Sequence, residues 1–256
     1  MILSSAILLL ISGPAAGADC DLDQDGLSDA YEHELARSLA PVWVFDSHEK
    51  SRAPGEPLTL YQVHPILDGK RPGRGTLQVI LTYAYLFRWD GGYPLSALCD
   101  DSHPGDNPNL KLRIEIDPSF PQTPQVRGLR WQGAWIGPPL LQLDHGSHPR
   151  IYLSAGKHHP SPFIWHETSY SPFSAWQCRD VNDGLGDVVP ANIEHEGMRL
   201  NVGEFNHPLI TDLSHFGFPN EDAWGKTPFC GGLRSTIGRA ACRATRTRSN
   251  RELWKH

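Results

Sequence analysis

Hydrophobic and polar residues alternate most regularly over residues 110–117, in the segment LKLRIEID. The apolar positions of this segment share one face: Leu110, Leu112, Ile114 and Ile116. A period of two residues is typical of an antiparallel strand with one buried face. Residues 76–87 instead form a nearly continuous run of β-branched and aromatic side chains, which predicts a buried strand. Further strands are predicted at residues 150–155 and 198–204.

A helical pattern is confined to the start of the chain. It predicts one helix over residues 28–39, which Pro41 ends. Core positions are predicted here and just beyond: Leu35, Leu39, Val42, Val44 and Phe45. The chain holds 24 Gly and 22 Pro residues, and short strands separated by Gly/Pro-rich loops favour a sandwich. The predicted fold class is therefore mainly β: a β-sandwich with long loops and a short N-terminal helix.

Carboxylates are concentrated in the segment DLDQDGLSDAYE, residues 21–32. Positions one, three, five, seven, nine and twelve of an EF-hand loop are filled by Asp21, Asp23, Asp25, Leu27, Asp29 and Glu32. Gly26 takes position six, where the loop turns sharply. Calcium is a hard ion that prefers such oxygen ligands, whereas zinc prefers nitrogen and sulfur. We predict a structural calcium site followed by an outgoing helix, a half-motif that resembles dockerin and thrombospondin type-3 loops.

The residues before this loop indicate export. Residues 7–11 are apolar, Pro14 interrupts any helix, and the Ala-Gly-Ala of residues 16–18 suits signal peptidase. The segment is too short to span a bilayer. We expect a signal peptide at 1–18, the calcium loop and helix at 19–40 and the sandwich domain at 41–256. The protein is expected to be secreted or periplasmic, with no transmembrane segment.

Cysteine content and charge limit the function classes. Five cysteines follow the predicted cleavage site without a C-x-x-C pair, and in an exported chain they predict one or two disulfides and one unpaired thiol: Cys20, Cys99, Cys178, Cys230 and Cys242. Their pairing is open. The formal net charge is −6, although the C-terminal tail is rich in arginine. That tail lacks interleaved aromatic residues and a nucleic-acid fold signature, so no nucleic-acid partner is expected.

Candidate chemistry comes from polar residues at the ends of the predicted strands. Five histidines precede proline, which favours extended backbone: His64, His103, His148, His159 and His207. Because sandwich loops cluster at the ends of strands, we expect one site with these candidate catalytic residues: His103, Asp106, His158 and Glu204. Three interpretations stay open: acid–base catalysis, a second metal site using His103, Asp106 and His158, and polar residues that only tie loops together. No H-E-x-x-H, G-x-S-x-G, P-loop or G-x-G-x-x-G motif is present.

The order of these motifs adds a family resemblance. A first motif has His103, Gly105 and Asp106, and a second reads SAGKHHPS over residues 154–161. Together with the upstream LAPVWVFDSHE, this order resembles the vacuolar protein sorting-associated family of fungi and plants, which carries an HxGDWE signature. The resemblance covers roughly residues 39–233 and implies no defined reaction. Asn107-Pro108 replaces the Trp-Glu of the signature, so any chemistry of that glutamate is absent here.

Three functional hypotheses follow. The first is a calcium-binding sandwich that hydrolyses an extracellular substrate at the His/Asp/Glu site. The second is a module that binds a membrane lipid or a glycan without turnover; its signature also has a fold-level analogy to the GHRHDWE heptad of necrosis-inducing toxins, which bind a divalent ion. Tryptophans are the candidate contacts of this second hypothesis: Trp131, Trp135, Trp165 and Trp176. The third is a structural or adhesive protein.

Overall fold

The computed structural model describes residue 21 and residues 25–66, 76–93, 102–106, 108–131, 134–164, 181–195 and 198–201. The helices are α1 (Asp29–Ser38) and a 3₁₀ turn at Pro138–Leu140. The first strands along the chain are β1 (Val42–Phe45), β2 (Leu58–Pro65), β3 (Leu77–Asp90), β4 (His103–Asp106), β5 (Asn109–Ile116), β6 (Gln125–Trp131) and β7 (Ala134–Ile136). The remaining strands are β8 (Leu143–Asp144), β9 (His148–Leu153), β10 (Pro160–Ser161), β11 (Val188–Pro190), β12 (Glu194–His195) and β13 (Met198–Arg199).

The larger sheet is antiparallel and is organised around β3. Its strand order is β2-β3-β5-β6-β7, and β4 pairs with the far end of β3. The 14 residues of β3 make it long enough to pair with β5 over its first half and with β4 beyond Phe87. From Phe87 onward, β3 therefore pairs with β4 and no longer with β5.

The second sheet has the order β10-β9-β1-β11, with β8 also paired to β9. Strands β1 and β9 run parallel, whereas β11 is antiparallel to β1. Aromatic contacts join the two sheets: Trp43 lies 4.4 Å from Tyr85 between ring centroids, and Phe45 meets Phe87 edge to face. These rings belong to one buried core that includes side chains from both sheets, so the protein is a sandwich-like, mainly β structure, as predicted.

Helix α1 begins and packs as its sequence predicts. Ser28 is the N-cap, and its hydroxyl accepts a hydrogen bond from the N–H of Tyr31. The buried face of the helix includes Leu35 and Ala36, and the carbonyl of Ala36 accepts a hydrogen bond from Tyr83 on β3. The helix therefore lies against the larger sheet.

The predicted strands differ from the observed ones mainly at their ends. The alternation in residues 110–117 is confirmed, since all four apolar side chains of that segment are buried on β5. Strand β3 continues three residues beyond the predicted 76–87, because β4 extends its hydrogen-bonded edge. The predicted strand at 150–155 is β9, shifted towards the N-terminus, while only Met198–Arg199 of the predicted 198–204 forms a described strand.

The core between the sheets gives the first testable prediction. Leu81→Ala, at a fully buried position of β3, is expected to lower the free energy of unfolding by about 2–5 kcal/mol, because it removes apolar contacts and leaves a cavity. Leu185→Ala is the control, because Leu185 is 78% exposed and its loss is expected to cost less than about 0.5 kcal/mol. Urea denaturation of both variants measures the difference. Equal losses would contradict the assignment of β3 to the core.

Candidate functional site

Two of the four predicted catalytic residues meet in the structure. The Nδ1 atom of His158 lies 3.2 Å from Oδ2 of Asp106. His103 lies on β4, in register with Asp90 of β3, but its side chain is outside the described part of the chain. Glu204 also lies outside the described residues. Of the four candidates, Asp106 on β4 and His158 in the loop after β9 are therefore in contact.

The partner that completes this group is Glu49, which the sequence analysis did not select. Its Oε2 atom lies 3.3 Å from Nε2 of His158, so a carboxylate faces each nitrogen of the imidazole. The ring of His158 is fully buried and stacks on Phe87, with 3.6 Å between centroids. We call Glu49, Asp106 and His158 the histidine cluster. It joins the loop after β1, the end of β4 and the β9–β10 connection.

The β9–β10 loop holds His158 in an unusual backbone conformation. His158 has a φ of 52°, in the left-handed region that non-glycine residues seldom occupy. Its N–H donates to the carbonyl of Ser154, whose hydroxyl accepts the N–H of His159. These bonds close the loop tightly and turn the imidazole inward. Gly156, with a φ of 69°, permits the turn two residues earlier.

Glu49 is fixed by backbone donors as well as by His158. Its Oε1 accepts the N–H groups of Ser51 and Arg52, at 2.5 and 3.2 Å, and its Oε2 accepts the N–H of Gly156 at 2.7 Å. The hydroxyl of Ser51 also bonds to Glu49 at 2.5 Å and lies 3.4 Å from Nε2 of His158. One carboxylate therefore connects two loops that carry no strand pairing to each other.

The two carboxylates determine the charge of His158. Burial alone would lower the pKa of this imidazole, but hydrogen bonds and charges from Asp106 and Glu49 outweigh burial and raise the pKa to about 9. Burial would likewise raise the pKa of Glu49, yet its bonds to His158, Ser51 and Gly156 lower it to about 2. At neutral pH the cluster is therefore an imidazolium between two carboxylates.

A second buried ion pair lies beside the histidine cluster. The Nζ atom of Lys157 lies 3.0 Å from Oδ2 of Asp90, and both side chains are almost fully buried. The same ammonium lies 5.3 Å from the ring centroid of Tyr93, a distance at which cation–π attraction operates. The other oxygen of Asp90 accepts the N–H of Gly92. These contacts fix the chain just past the end of β3.

A pocket of about 420 Å³ opens above these two groups. Its lining is Lys50, Ser51, Trp89, Gly91 and Gly156. The floor is made by close backbone contact, since the N–H of Gly91 donates to the carbonyl of Gly156 at 2.8 Å. A Cβ atom on Gly91 would lie 2.9 Å from both Cβ and Oγ of Ser51, so the floor requires glycine there. We call this the β3-end pocket.

A separate group, Asp46, His48 and Asp183, brings three possible ligand atoms within 4.8 Å of one another. Both oxygens of buried Asp46 already accept hydrogen bonds, one from the N–H of His48 and the other from the N–H of Asp183. Asp183 in turn accepts the N–H groups of Ser47 and Leu185. These bonds join the loop after β1 to the loop before β11, and they explain why Asp46, His48 and Asp183 lie close together without a metal ion.

The predicted calcium loop is described except for residues 22–24, and Asp23 therefore lies outside the described part. The carboxylate of Asp21 accepts the N–H groups of Asp25 and Gly26, at 3.2 and 3.0 Å, so the loop curls around its first position. Gly26 has a φ of 96°, as the sharp turn at position six requires. The N–H of Leu27 donates to Asp25 at 2.9 Å. The chain thus turns back before α1 starts at position nine.

The last carboxylate of this loop connects it to the sandwich. Glu32 is fully buried, and its Oε2 accepts a hydrogen bond from the side-chain amide of Asn201 at 2.8 Å. Asn201 in turn forms a bridge to Tyr61 on β2, the edge strand of the larger sheet. The next helical residue, His33, lies 2.9 Å from the hydroxyl of Tyr61 and 2.7 Å from Glu194. The loop is therefore attached to the edge of β2 and to the segment that covers it.

Tryptophan positions differ from the candidate contacts named from the sequence. Trp131 packs against the core, and Trp135 lies beneath the guanidinium of Arg113, 4.6 Å from its carbon. Trp165 and Trp176 lie outside the described residues, as do all five cysteines. The exposed tryptophan at the pocket is Trp89, which is 43% exposed. In the sequence, Trp89 could have been selected because it lies between Arg88 and Asp90, at the polar end of a hydrophobic strand.

Comparisons with models of protein families, with curated proteins and with solved structures find no significant match. The resemblance to the vacuolar protein sorting-associated family stays a prediction based on its short motifs. Among the residues that the structure describes, no helix has both the length and the apolar character needed to cross a membrane.

The charge of His158 predicts a specific dependence of stability on pH. Because its pKa is raised from 6.5 to about 9 by folding, the folded state binds this proton more tightly. The stabilisation is complete below pH 6.5 and is lost as the pH rises through 9, with a magnitude on the order of 3 kcal/mol. Glu49, whose pKa is lowered from 4.5 to about 2 by folding, contributes stability that is complete above pH 4.5 and is lost as the pH falls through about 2.

Denaturant unfolding between pH 6 and 10 measures this effect. His158→Gln is expected to be less stable than wild type at pH 6, and the difference should shrink steadily towards pH 10. His145→Gln, on an exposed turn, is the control for loss of a histidine. A constant difference across this range, or an NMR titration of His158 with a midpoint near 6.5, would contradict the buried imidazolium.

Proposed function

We propose that the protein is an exported, calcium-stabilised β-sandwich that binds a glycan or lipid ligand in the β3-end pocket without chemical turnover. The observation that carries this proposal is the engagement of both nitrogens of His158 by carboxylates, one of which, Glu49, also holds two residues that line an open pocket, Ser51 and Gly156. A histidine in this state supports the walls of a site. It has no nitrogen available to take a proton from a substrate near neutral pH.

The form of the pocket supports binding. Trp89 exposes part of an apolar ring at the rim, and Gly91 and Gly156 line the pocket without side chains. Ligand sites combine such apolar surface with a few fixed polar groups, and here Ser51 and Lys50 supply these. Loops at the end of a rigid sandwich are a common place for recognition sites.

Calcium has a structural role in this proposal. The donor chemistry of the loop suits the ion, because positions one, five, nine and twelve are carboxylates and position seven offers the carbonyl of Leu27. Asp21, Asp25, Asp29 and Glu32 would hold it, together with Asp23. The ion would neutralise the crowded carboxylates and so stabilise the attachment of α1 to β2. A separate cleaved leader at residues 1–18 and an extracellular or periplasmic location belong to the same proposal.

Hydrolysis is the second candidate, favoured by one observation. Ser51, His158 and Asp106 follow one another with 3.4 Å from hydroxyl to imidazole and 3.2 Å from imidazole to carboxylate. That order is the one used by serine hydrolases. The raised pKa of His158 would restrict such activity to pH values near or above 9, where the neutral imidazole can accept the proton of Ser51.

Calcium is expected to raise the thermal midpoint of protein first treated with a chelator. Glu32→Gln should remove that response, because it deletes the charge at position twelve while keeping an oxygen for Asn201. Glu34→Gln is the matched control, since Glu34 is an exposed glutamate on the same helix. At a calcium concentration one hundred times the Kd, the expected stabilisation of wild type is about 2.7 kcal/mol. A midpoint that ignores both chelator and calcium would overturn the calcium site.

Binding and turnover are distinguished by one panel of ligands. Wild type is screened against a glycan array and against vesicles of neutral and anionic lipids, and esters and glycosides are assayed for products at pH 7 and pH 9.5. We expect binding without product formation at pH 7. Trp89→Ala should weaken binding by roughly tenfold, whereas Phe120→Ala, an exposed aromatic outside the pocket, should not. Product formation that Ser51→Ala abolishes would favour hydrolysis and overturn the binding proposal.

A further inference from the structure

We infer that the ligand of the β3-end pocket is an acidic saccharide, with a pyranose ring against Trp89 and a carboxylate or sulfate at the ammonium of Lys50. The inference rests on the proposed binding function and names the chemical class of its ligand. It follows from three features of the pocket: the ring at its rim, the backbone at its floor and the charge that its lining presents.

The rim provides a surface for a sugar ring. Trp89 is the penultimate residue of β3, and its backbone is held in register with Pro104 of β4. The backbone that carries the indole is therefore fixed by strand pairing. A partly exposed ring in this position offers an amphipathic ligand apolar contact at low entropic cost.

The floor of the pocket is built by close backbone packing and offers a hydroxyl group. Gly91 and Gly156 contact each other through their backbones, and the Cα of Gly156 lies 3.1 Å from where a Cβ on Gly91 would stand. The absence of a side chain on Gly91 therefore lets Ser51 and the backbone of Gly156 pack closely against the end of β3, and these residues line the pocket together with Trp89. The Ser51 hydroxyl at the same floor donates its proton to Glu49, and its oxygen can accept a hydrogen bond from a ring hydroxyl group. This combination is less suited to an acyl chain, which needs a deeper apolar channel.

The charge of the lining selects an anion. Beneath the floor, Glu49 and Asp106 flank the one positive charge of His158, which leaves a net charge of about −1 there, whereas Asp90 and Lys157 neutralise each other. All five of these groups are largely buried. Of the five residues that line the pocket, Lys50 is the one with a charge, and it is exposed. An exposed ammonium keeps its hydration until an anion approaches, so it adds selectivity more than affinity.

The strength of the attraction between the Lys50 ammonium and an anion predicts how strongly the pocket prefers an acidic ligand to a neutral one. A rim ammonium in water interacts with an anion by about 1 kcal/mol at contact, and this attraction falls as salt screens it. The acidic ligand should therefore bind about fivefold more tightly than its neutral counterpart at low salt. The preference should decline with added sodium chloride, whereas the contribution of Trp89 should not.

The test uses the full chain and a panel of paired oligosaccharides. Hexuronate oligomers are compared with their methyl esters, sialylated oligosaccharides with their methyl esters, and sulfated oligosaccharides with desulfated ones, by calorimetry at 20 and 200 mM salt. At least one acidic member is expected to bind more tightly than its neutral pair. Lys50→Gln should remove that preference and leave binding of the neutral member unchanged. Lys111→Gln, a lysine on β5 outside the pocket lining, should leave both unchanged.

Each outcome bears on one of the two proposals. Equal binding of acidic and neutral pairs, or a preference that survives Lys50→Gln, would overturn the acidic-saccharide inference while the binding function stands. Binding to lipid vesicles but to no oligosaccharide, with loss in Trp89→Ala, would also overturn the inference alone. Absence of binding to every glycan and vesicle would overturn the proposed function itself.

Discussion

The structure depends on one buried cation, the imidazolium of His158, held between Glu49 and Asp106. Its three members come from the loop after β1, from β4 and from the β9–β10 loop, so a single charged group joins both sheets at one end of the sandwich. Removing water from three ionised groups is costly, and the cost is offset only when each charge finds several good partners. Glu49 meets this condition with three backbone donors, and His158 also stacks on Phe87. These contacts link the loop after β1, β4 and the β9–β10 loop to one another.

A different requirement applies at the floor of the β3-end pocket, next to this cluster. There, one residue has to remain without a side chain. Gly91 cannot carry a side chain, since Ser51 already occupies the space. The shape of the floor is maintained by polar contacts below it: Gly156 donates to Glu49, and Lys157 holds Asp90. The buried ion pairs thus hold the backbone that lines the open pocket. The charged groups provide rigidity where hydrophobic packing would have filled the pocket.

How much of this could be predicted from the sequence depends on how local each signal is. The alternation on β5 and the helix after Ser28 follow from neighbouring residues, and both are observed. Pairing of Asp106 with His158 could be anticipated from the position of each at a strand end. Glu49 could not, because its role depends on the parallel pairing of β1 with β9, which brings together segments about 100 residues apart. The exposure of Trp89 likewise depends on where β4 ends, and no periodicity within β3 marks it.

Calcium attachment and the histidine cluster lie on different segments of the chain and use the same physical principle. In each, carboxylates that would repel one another are gathered where a cation can neutralise them: an imidazolium for Glu49 and Asp106, and by our proposal a metal ion for the loop that ends at Glu32. The two differ in what they fasten. Glu32 holds Asn201, and the segment that ends at Asn201 covers the edge of β2, since its carbonyls accept the N–H groups of Thr59 and Tyr61. The loop therefore fastens the segment that keeps this strand edge from pairing with another chain. The histidine cluster fastens loops around a pocket. Loss of calcium should therefore weaken the edge of the larger sheet first, whereas loss of the His158 charge should loosen the pocket first.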